Sequence, residues 1–201
     1  MSRQAAILVS GERVYLRHPV AADRDEFLAL RRASRDLHAP WEPLPQGDPP
    51  VQPVSTEAFD RFLASSDTPT TQRHLVCRFT DHAMVGYFGL SQIFRGAFCS
   101  CYVGYWTGAP FVRQGYATEG MALTLVRAFT QLGLHRVEAN IVPDNAPSLS
   151  VARRCGLRRE GYSPRYLKIA GEWRDHERWA ITVEDWQHIA PADPAAHAKE
   201  P

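Results

Sequence analysis

The sequence predicts one α+β domain, with helices packed around a mixed, mostly antiparallel sheet. Three observations carry this expectation. The chain has 201 residues, 44% of them hydrophobic, which is enough for one substantial core. Runs with a period of two alternate with runs of helical period, in the order strand, two helices, three strands, helix, strand, helix, two strands. Two of the strand-to-strand connections, Thr80–Ala83 and Ala170-Gly171-Glu172, are short enough to demand antiparallel neighbours. No internal repeat and no second core is visible.

The elements follow in order. Residues 1–11 read as a loose lead-in to the domain, 12–187. Arg13 to Arg17 alternates as a first strand. Ala21 to Ser34 has the spacing of a helix, with Phe27, Leu28 and Leu30 set among charges. Pro40 to Pro53 holds six prolines in fourteen residues. Such a run suits neither a helix interior nor a central strand, and long loops in compact domains are often functional. Ser55 or Thr56 caps a helix that carries Phe59, Phe62 and Leu63. Strands are expected at His74–Phe79, Met84–Leu90 and Phe98–Trp106. Gly115 to Leu132 is a helix with Ala122, Leu125, Val126 and Phe129 on one stripe, stopped by Gly133. A strand at Arg136–Val142, a helix at Asn145–Cys155 and strands at Tyr166–Ile169 and Trp173–Val183 complete the domain. Residues 188–201, rich in Pro and Ala at their end, read as a disordered tail.

Composition removes several function classes. A net charge of +1 offers no electrostatic case for direct nucleic-acid binding. No apolar run approaches the ~18 residues that span a membrane, and Ala5–Val9 is too short for a signal-peptide core, so the cytoplasm is the expected compartment. Cys77, Cys99, Cys101 and Cys155 form no C-x-x-C pair, which points to buried thiols rather than to a metal site. On one strand, Cys99 and Cys101 would share a face.

The most informative segment is Val103 to Glu119, V-G-Y-W-T-G-A-P-F-V-R-Q-G-Y-A-T-E. A strand ends near Trp106, a short loop follows, and a helix opens at Gly115. The first N–H groups of a helix lack intrahelical partners and carry the positive end of its dipole, so they form a natural pyrophosphate site. Gly115 lets backbone approach a ligand closely. Arg113 adds a cation and Thr118 a hydroxyl. G-x-G-x-x-G and G-K-[ST] are both absent, which removes the dinucleotide-fold and P-loop readings.

This segment resembles motif A of the GNAT acetyltransferases, [QR]-x-x-G-x-[GA], with Gly115 and Ala117 at the small positions and Val112 in place of Gln or Arg. Pro143 to Tyr162 resembles the second half of the superfamily signature, matching at Asn145, Ser148, Gly156, Leu157, Glu160 and Gly161. Leu37–Pro43, Arg95–Tyr105 and Gly171–Trp186 narrow the resemblance to the RimJ/RimL-type N-terminal acetyltransferases, above all the RimJ type, over residues 12 to 187. The resemblance implies a seven-stranded GNAT fold with splayed central strands, acetyl-coenzyme A as cosubstrate and no metal. It also implies an acceptor that is a protein N-terminus or peptide, foremost a ribosomal protein, and a monomer or homodimer.

In the implied reaction an amine attacks the acetyl thioester directly. The two substrates must be held together, the amine must be neutral, and the oxyanion and thiolate need hydrogen-bond donors. The coenzyme contacts implied are Val103 and Tyr105 on the splayed strand, Arg113, Gln114, Gly115, Tyr116, Ala117 and Thr118 at the helix start, and Asn140, Asn145 and Ser148 beyond. Asn145 also suits a helix cap. Ser148 lies on a helix stripe with Val151, Ala152 and Cys155. Many GNAT enzymes place a tyrosine where Ala152 stands, which leaves Ser148 as the donor to the thiolate. Glu138 and Asp175 are candidate bases; His74 and His176 are not. Trp41 and Glu42, in the proline loop, are candidates for contact with the acceptor. Two alternatives stay open: a small-molecule amine as acceptor, or an acyl-coenzyme A-binding or ribosome-associated protein without turnover.

Overall fold

The computed structural model describes residues 6–45 and 50–189. Among these, nine strands form one sheet: β1 (Ile7–Ser10), β2 (Val14–Arg17), β3 (Asp67–Thr68), β4 (Thr71–Arg78), β5 (Met84–Ser91), β6 (Ser100–Thr107), β7 (Arg136–Ile141), β8 (Arg158–Ile169) and β9 (Glu172–Thr182). Six α-helices accompany them: α1 (Arg24–Ala33), α2 (Arg35–His38), α3 (Thr56–Ala64), α4 (Tyr116–Val126), α5 (Ala146–Arg154) and α6 (Val183–Ile189). The sheet order is β1-β2-β4-β5-β6-β7-β9-β8, with β3 beside β4. Every pairing is antiparallel except β6 with β7.

The sheet has two strands more than the seven expected. β1 lies in the lead-in and pairs with β2, because Gly11 N–H closes a turn on the Val14 carbonyl at 2.8 Å. β3 is a two-residue strand that extends the β4 edge. The end of the domain also differs. Residues expected as the close of a strand and the start of a tail form α6, whose Trp186 is buried against Phe129 with ring centroids 5.3 Å apart. The remainder of the expected tail, 190–201, and residues 46–49 of the proline loop lie outside the described residues. Cys99 precedes β6 in a left-handed conformation (φ 39°) and is half-buried, so it shares no strand face with the buried Cys101. All four cysteines are free.

The central strands are covered on both faces. On one, α4 and α5 cover Leu16, Val76, Phe88, Val103, Val137 and Ala139. On the other, α1 and α3 cover Tyr15, Leu75 and Cys77 through Phe27, Leu28 and Phe59. Ser55 caps α3, its Oγ accepting from Ala58 N–H at 3.1 Å. Gly120 brings α4 against the sheet: a Cβ there would sit 2.7 Å from the Phe88 ring. That approach fixes where the start of α4 lies relative to the end of β6.

The entry to α1 is held by a buried ion pair. Arg17 donates to both Asp23 oxygens at 2.7 and 2.6 Å, and Asp23 also accepts from Val20 N–H at 2.7 Å. Both side chains are about nine-tenths buried. Breaking one partner of such a pair leaves an uncompensated buried charge, at about 3–5 kcal/mol. Asp23→Ala should therefore lose about 3–5 kcal/mol of stability in urea unfolding followed by circular dichroism.

Candidate active site

The site begins where β6 and β7 stop pairing. Their parallel register runs Ser100↔Arg136, Cys101↔Val137, Tyr102↔Glu138 and ends there. Gly108 N–H donates to Val85 carbonyl at 2.9 Å. By the alternation of an antiparallel ladder, Tyr102, Gly104 and Trp106 then turn their backbone groups to β5, while Val103 and Tyr105 turn theirs toward β7. Beyond the last pair, the Val103 carbonyl and the Tyr105 N–H and carbonyl face the gap. These are the two residues the sequence singled out for backbone contacts.

A strut holds the gap open. The Tyr105 hydroxyl donates to the Ser148 carbonyl of α5 at 3.0 Å, and its ring stacks on Phe88 at 5.0 Å, 7° from parallel. The end of β6 is thereby tied to α5 instead of to β7. Burial, first among its causes, raises the Tyr105 hydroxyl well above the ordinary phenol range, so it remains a donor. Ser148 is half-buried and fixed at both backbone ends, since its N–H donates to Asn145 Oδ1 at 3.2 Å. Asn145 is thus the cap of α5. The Ser148 hydroxyl makes no hydrogen bond among the described residues.

At the other end of β6, a 3₁₀ turn (Ala109–Phe111) leads to Arg113 and Gly115, both with positive φ, 61° and 85°. The first α4 bond is Glu119 N–H to Gly115 carbonyl at 3.1 Å. The N–H groups of Tyr116, Ala117 and Thr118 are those an α-helix leaves without i−4 acceptors. Gln114 instead braces the turn, donating to the Pro110 carbonyl at 2.9 Å. The cation packed on this turn is one the sequence did not indicate. Arg13, at the start of the first long-range strand pair, donates to Gln114 carbonyl at 2.9 Å and to Glu119 at 2.9 Å, and lies over the Tyr116 ring. Its guanidinium would be 3.1 Å from a Cβ on Gly115. No local signal marks Arg13, because its partners lie about a hundred residues away.

The opposite face of β6 carries Tyr102, Gly104 and Trp106. Gly104 is exposed, and the position of a Cβ there has nothing within 4 Å. Two segments border this open stretch. The proline loop meets the β8–β9 turn: Ala170 N–H donates to Glu42 carbonyl at 2.8 Å, and Leu44 packs 3.1 Å from the Cβ position of Gly171. The Glu42 carboxylate is already held by both guanidinium nitrogens of Arg31, at 2.7 and 2.8 Å, and Arg31 stacks on Trp106. Trp41 is half-buried in a short 3₁₀ turn beside it. A hollow of about 190 Å³ opens here, walled by Phe27, Phe62, Tyr87 and Trp106.

The candidate bases are both engaged. Glu138 accepts from Arg136 Nε at 2.8 Å, and the same arginine binds Glu160. Asp175 accepts from the Tyr162 hydroxyl at 2.5 Å and from Arg165 N–H at 2.7 Å, and these bonds, that from Tyr162 first, hold its carboxyl below the usual range. His74 is fully buried, neither ring nitrogen has a hydrogen-bond partner among the described residues, and burial, first among the causes, pushes it down to about 3. His176 is buried with Nδ1 against the Arg174 carbonyl, and burial lowers it as well. Among the site residues expected from sequence, the structure brings Val103, Tyr105, Asn140, Asn145 and Ser148 to the gap and Arg113–Thr118 to its mouth. Asp175 stands apart on the hairpin.

These groups fit acetyl-coenzyme A. A helix start with unpartnered N–H groups suits its pyrophosphate, and the free edge of β6 suits the amides of its pantetheine arm. Gly115→Ala costs the left-handed turn about 1–2 kcal/mol, and a turn that relaxes to escape this cost must regain it on binding, up to about tenfold in affinity. Calorimetry should show acetyl-coenzyme A affinity weaker by up to about tenfold, with the circular dichroism spectrum unchanged.

Comparison with known proteins agrees with this geometry. The acetyltransferase (GNAT) domain family matches residues 13–158. The probable N-acetyltransferase YjcK of Bacillus subtilis is 27% identical over 178 residues, 89% of this chain and 98% of that protein. The [ribosomal protein uS5]-alanine N-acetyltransferase of Escherichia coli is 35% identical over 103 residues, 51% of this chain and 53% of its own length. Mycobacterium smegmatis RimJ in complex with CoA-disulfide superposes with a TM-score of 0.79 at 31% identity, covering 86% of this chain and 83% of RimJ. A ribosomal-protein-S5-alanine acetyltransferase from Vibrio fischeri shares the fold, with a TM-score of 0.77 at 24% identity, covering 88% of this chain and 97% of that one. The strand gap, the turn at Gly115 and the family match lead to one conclusion: this chain belongs to the GNAT family of acetyl-coenzyme A-dependent N-acetyltransferases.

Proposed function

We propose that the chain acetylates the N-terminal α-amine of a protein, with a ribosomal protein as the foremost substrate. The observation that carries this reading is the shape of the acceptor face. Its hollow of about 190 Å³ is smaller than the ~300 Å³ at which sites begin to enclose a whole small ligand. It has the size of one side chain, beside an open stretch over Gly104 that a peptide end can cross. The relatives point the same way, since one acts on ribosomal protein uS5 alanine and the RimJ likeness spans most of the chain.

When bound, acetyl-coenzyme A supplies the activated acetyl group. The turn at Arg113, Gln114, Gly115, Tyr116, Ala117 and Thr118 would hold its phosphates, with Arg13 behind the turn. Val103 and Tyr105 would hold its pantetheine arm by backbone bonds, with Asn145 and Ser148 at the far side. Glu42, which lines the hollow, and Trp41 beside it in the chain would border the acceptor site; because Arg31 neutralises Glu42, this border offers no free anion for an ammonium.

The engagement of Glu138 and Asp175 bears on the acceptor. With both carboxylates committed to donors, proton removal falls mainly on the amine's own equilibrium with water. An α-amine has a pKa of about 8 and a lysine about 10.4, so roughly two orders more of the α-amine is neutral at pH 7. The sign follows: kcat/KM should rise with pH as the amine loses its proton and level off above about 8. Mass spectrometry of alanyl-terminated ribosomal peptides containing an internal lysine should show acetyl on the α-amine. Acetyl on the lysine alone, or a rate that falls between pH 6 and 8, would refute the reading.

Ser148 is proposed as the hydrogen-bond donor to the departing thiolate. Its backbone is fixed by Asn145 and Tyr105, and its hydroxyl is uncommitted, so the donor is pre-organised. A bond that strengthens only as charge builds appears in kcat. Ser148→Ala should lower kcat by about 10²–10³ while acetyl-coenzyme A affinity stays near that of the wild type. A variant with near wild-type kcat would leave Ser148 as a packing residue only.

A further inference from the structure

From an unpartnered atom at the strand gap we infer that Asn140 is the residue that receives the attacking amine. The inference rests on the proposed reading only in taking the acceptor to be a primary amine. β7 alternates: Val137, Ala139 and Ile141 are buried toward α4 and α5, while Arg136, Glu138 and Asn140 face the other side. Arg136 and Glu138 satisfy each other at 2.8 Å. Asn140 is the next residue on that face and the first on it beyond the last β6–β7 pair. Its Oδ1 is buried and has no hydrogen-bond partner among the described residues. A buried polar atom without a partner is costly, and such atoms in native folds await a ligand or serve a function.

The register says what this atom faces. Counted two residues past the last pair, Tyr102↔Glu138, Gly104 and Asn140 hold corresponding positions on the two sides of the gap. The space over Gly104 is open, and it lies on the same sheet face as the Asn140 side chain. The amide and the open stretch therefore border the same part of the gap, next to the backbone groups of Val103 and Tyr105. The charged and titratable groups around it are Glu138, paired with Arg136; Arg178, opposite Asn140 on β9; and Tyr102 on β6.

The chemical type of the residue matters. A carboxylate here would favour the ammonium form and raise the amine's pKa. A neutral amide oxygen accepts one N–H of the free amine without that pull, and leaves the nitrogen lone pair directed at the acetyl carbon. In the transfer the nitrogen–carbon bond forms as the carbon–sulfur bond breaks. The amine gives up one proton and the thiolate takes up one, so no other reactant is needed.

The test compares wild type, Asn140→Ala and Asn140→Asp. Acetyl-coenzyme A binding is read by calorimetry, and rates are read against an alanyl peptide, an N-blocked lysyl peptide and spermidine, using for the comparison whichever amine the wild type acetylates fastest. If that amine is not the alanyl peptide, the α-amine reading fails while the Asn140 comparison still stands. Asn140→Ala should lower kcat/KM for the amine about tenfold or more and leave acetyl-coenzyme A affinity within about twofold. Asn140→Asp should shift the rising limb of the kcat–pH profile upward by about one unit, because the new carboxylate stabilises the ammonium form of the bound amine. Should the alanine variant fail to fold, the near-isosteric aspartate variant carries the test alone. An unmoved pH limb in Asn140→Asp overturns the inference. So does an Asn140→Ala enzyme whose loss lies in acetyl-coenzyme A affinity, which would assign the amide to the coenzyme.

Discussion

The structure depends on keeping two adjacent parallel strands apart. Left to themselves, β6 and β7 would continue their ladder past Tyr102↔Glu138 and satisfy one another's backbone groups. They do not, because the Tyr105 hydroxyl ties the end of β6 to α5 while β7 remains paired along its length with β9. Backbone groups that a sheet would consume are thereby left for a ligand. The stacking of Tyr105 on Phe88, and the contact of Gly120 with that same ring, couple the gap to the position of α4. The turn at Gly115, the gap and the capped start of α5 are set by one packed cluster.

Electrostatics in the site works by subtraction. Arg136 takes Glu138 and Glu160, Arg31 takes Glu42, Tyr162 takes Asp175, and Arg13 takes Glu119. Once these carboxylates are paired, the groups left uncommitted at the gap include neutral ones: the Ser148 hydroxyl, the Asn140 amide and the β6 edge. Neutral, fixed dipoles stabilise developing charge without reorganising and without holding a proton on the acceptor amine. The closure of charges on one another also positions elements, since Arg13–Glu119 joins the first strands to the start of α4 and Arg31–Glu42 anchors the proline loop against Trp106.

Much of this was legible in the chain. The strand-loop-helix of Val103 to Glu119 is a local pattern, and a glycine with φ 85° followed by a helix start is what that pattern requires. Ser55 and Asn145 could be read as caps because a cap is settled within three residues. The pair Val103 and Tyr105 could be chosen because side chains and backbone groups both alternate along a strand. Two short strands escaped notice: β3 is too brief for any periodicity, and β1 is held by its turn and partner more than by its own pattern. The helix at Val183–Ile189 was masked by the β-like run before it.

From sequence alone came the order of the main elements, the mixed sheet, the strand-loop-helix at Gly115 and the two motifs that define the family, because each is encoded over a few neighbouring residues. Tertiary structure alone decided which polar groups are spent and which are free. Glu138, Asp175 and Glu42 looked equivalent as carboxylates along the chain, and each proved bound to a donor supplied by folding. Arg13 became part of the site through partners about a hundred residues distant. Asn140 stood out only when its oxygen was found buried and unpartnered. The physical reason is range: hydrogen-bond patterns of helices, turns and strands are local, whereas the pairing of charges and the desolvation of a single atom depend on what the fold brings beside them.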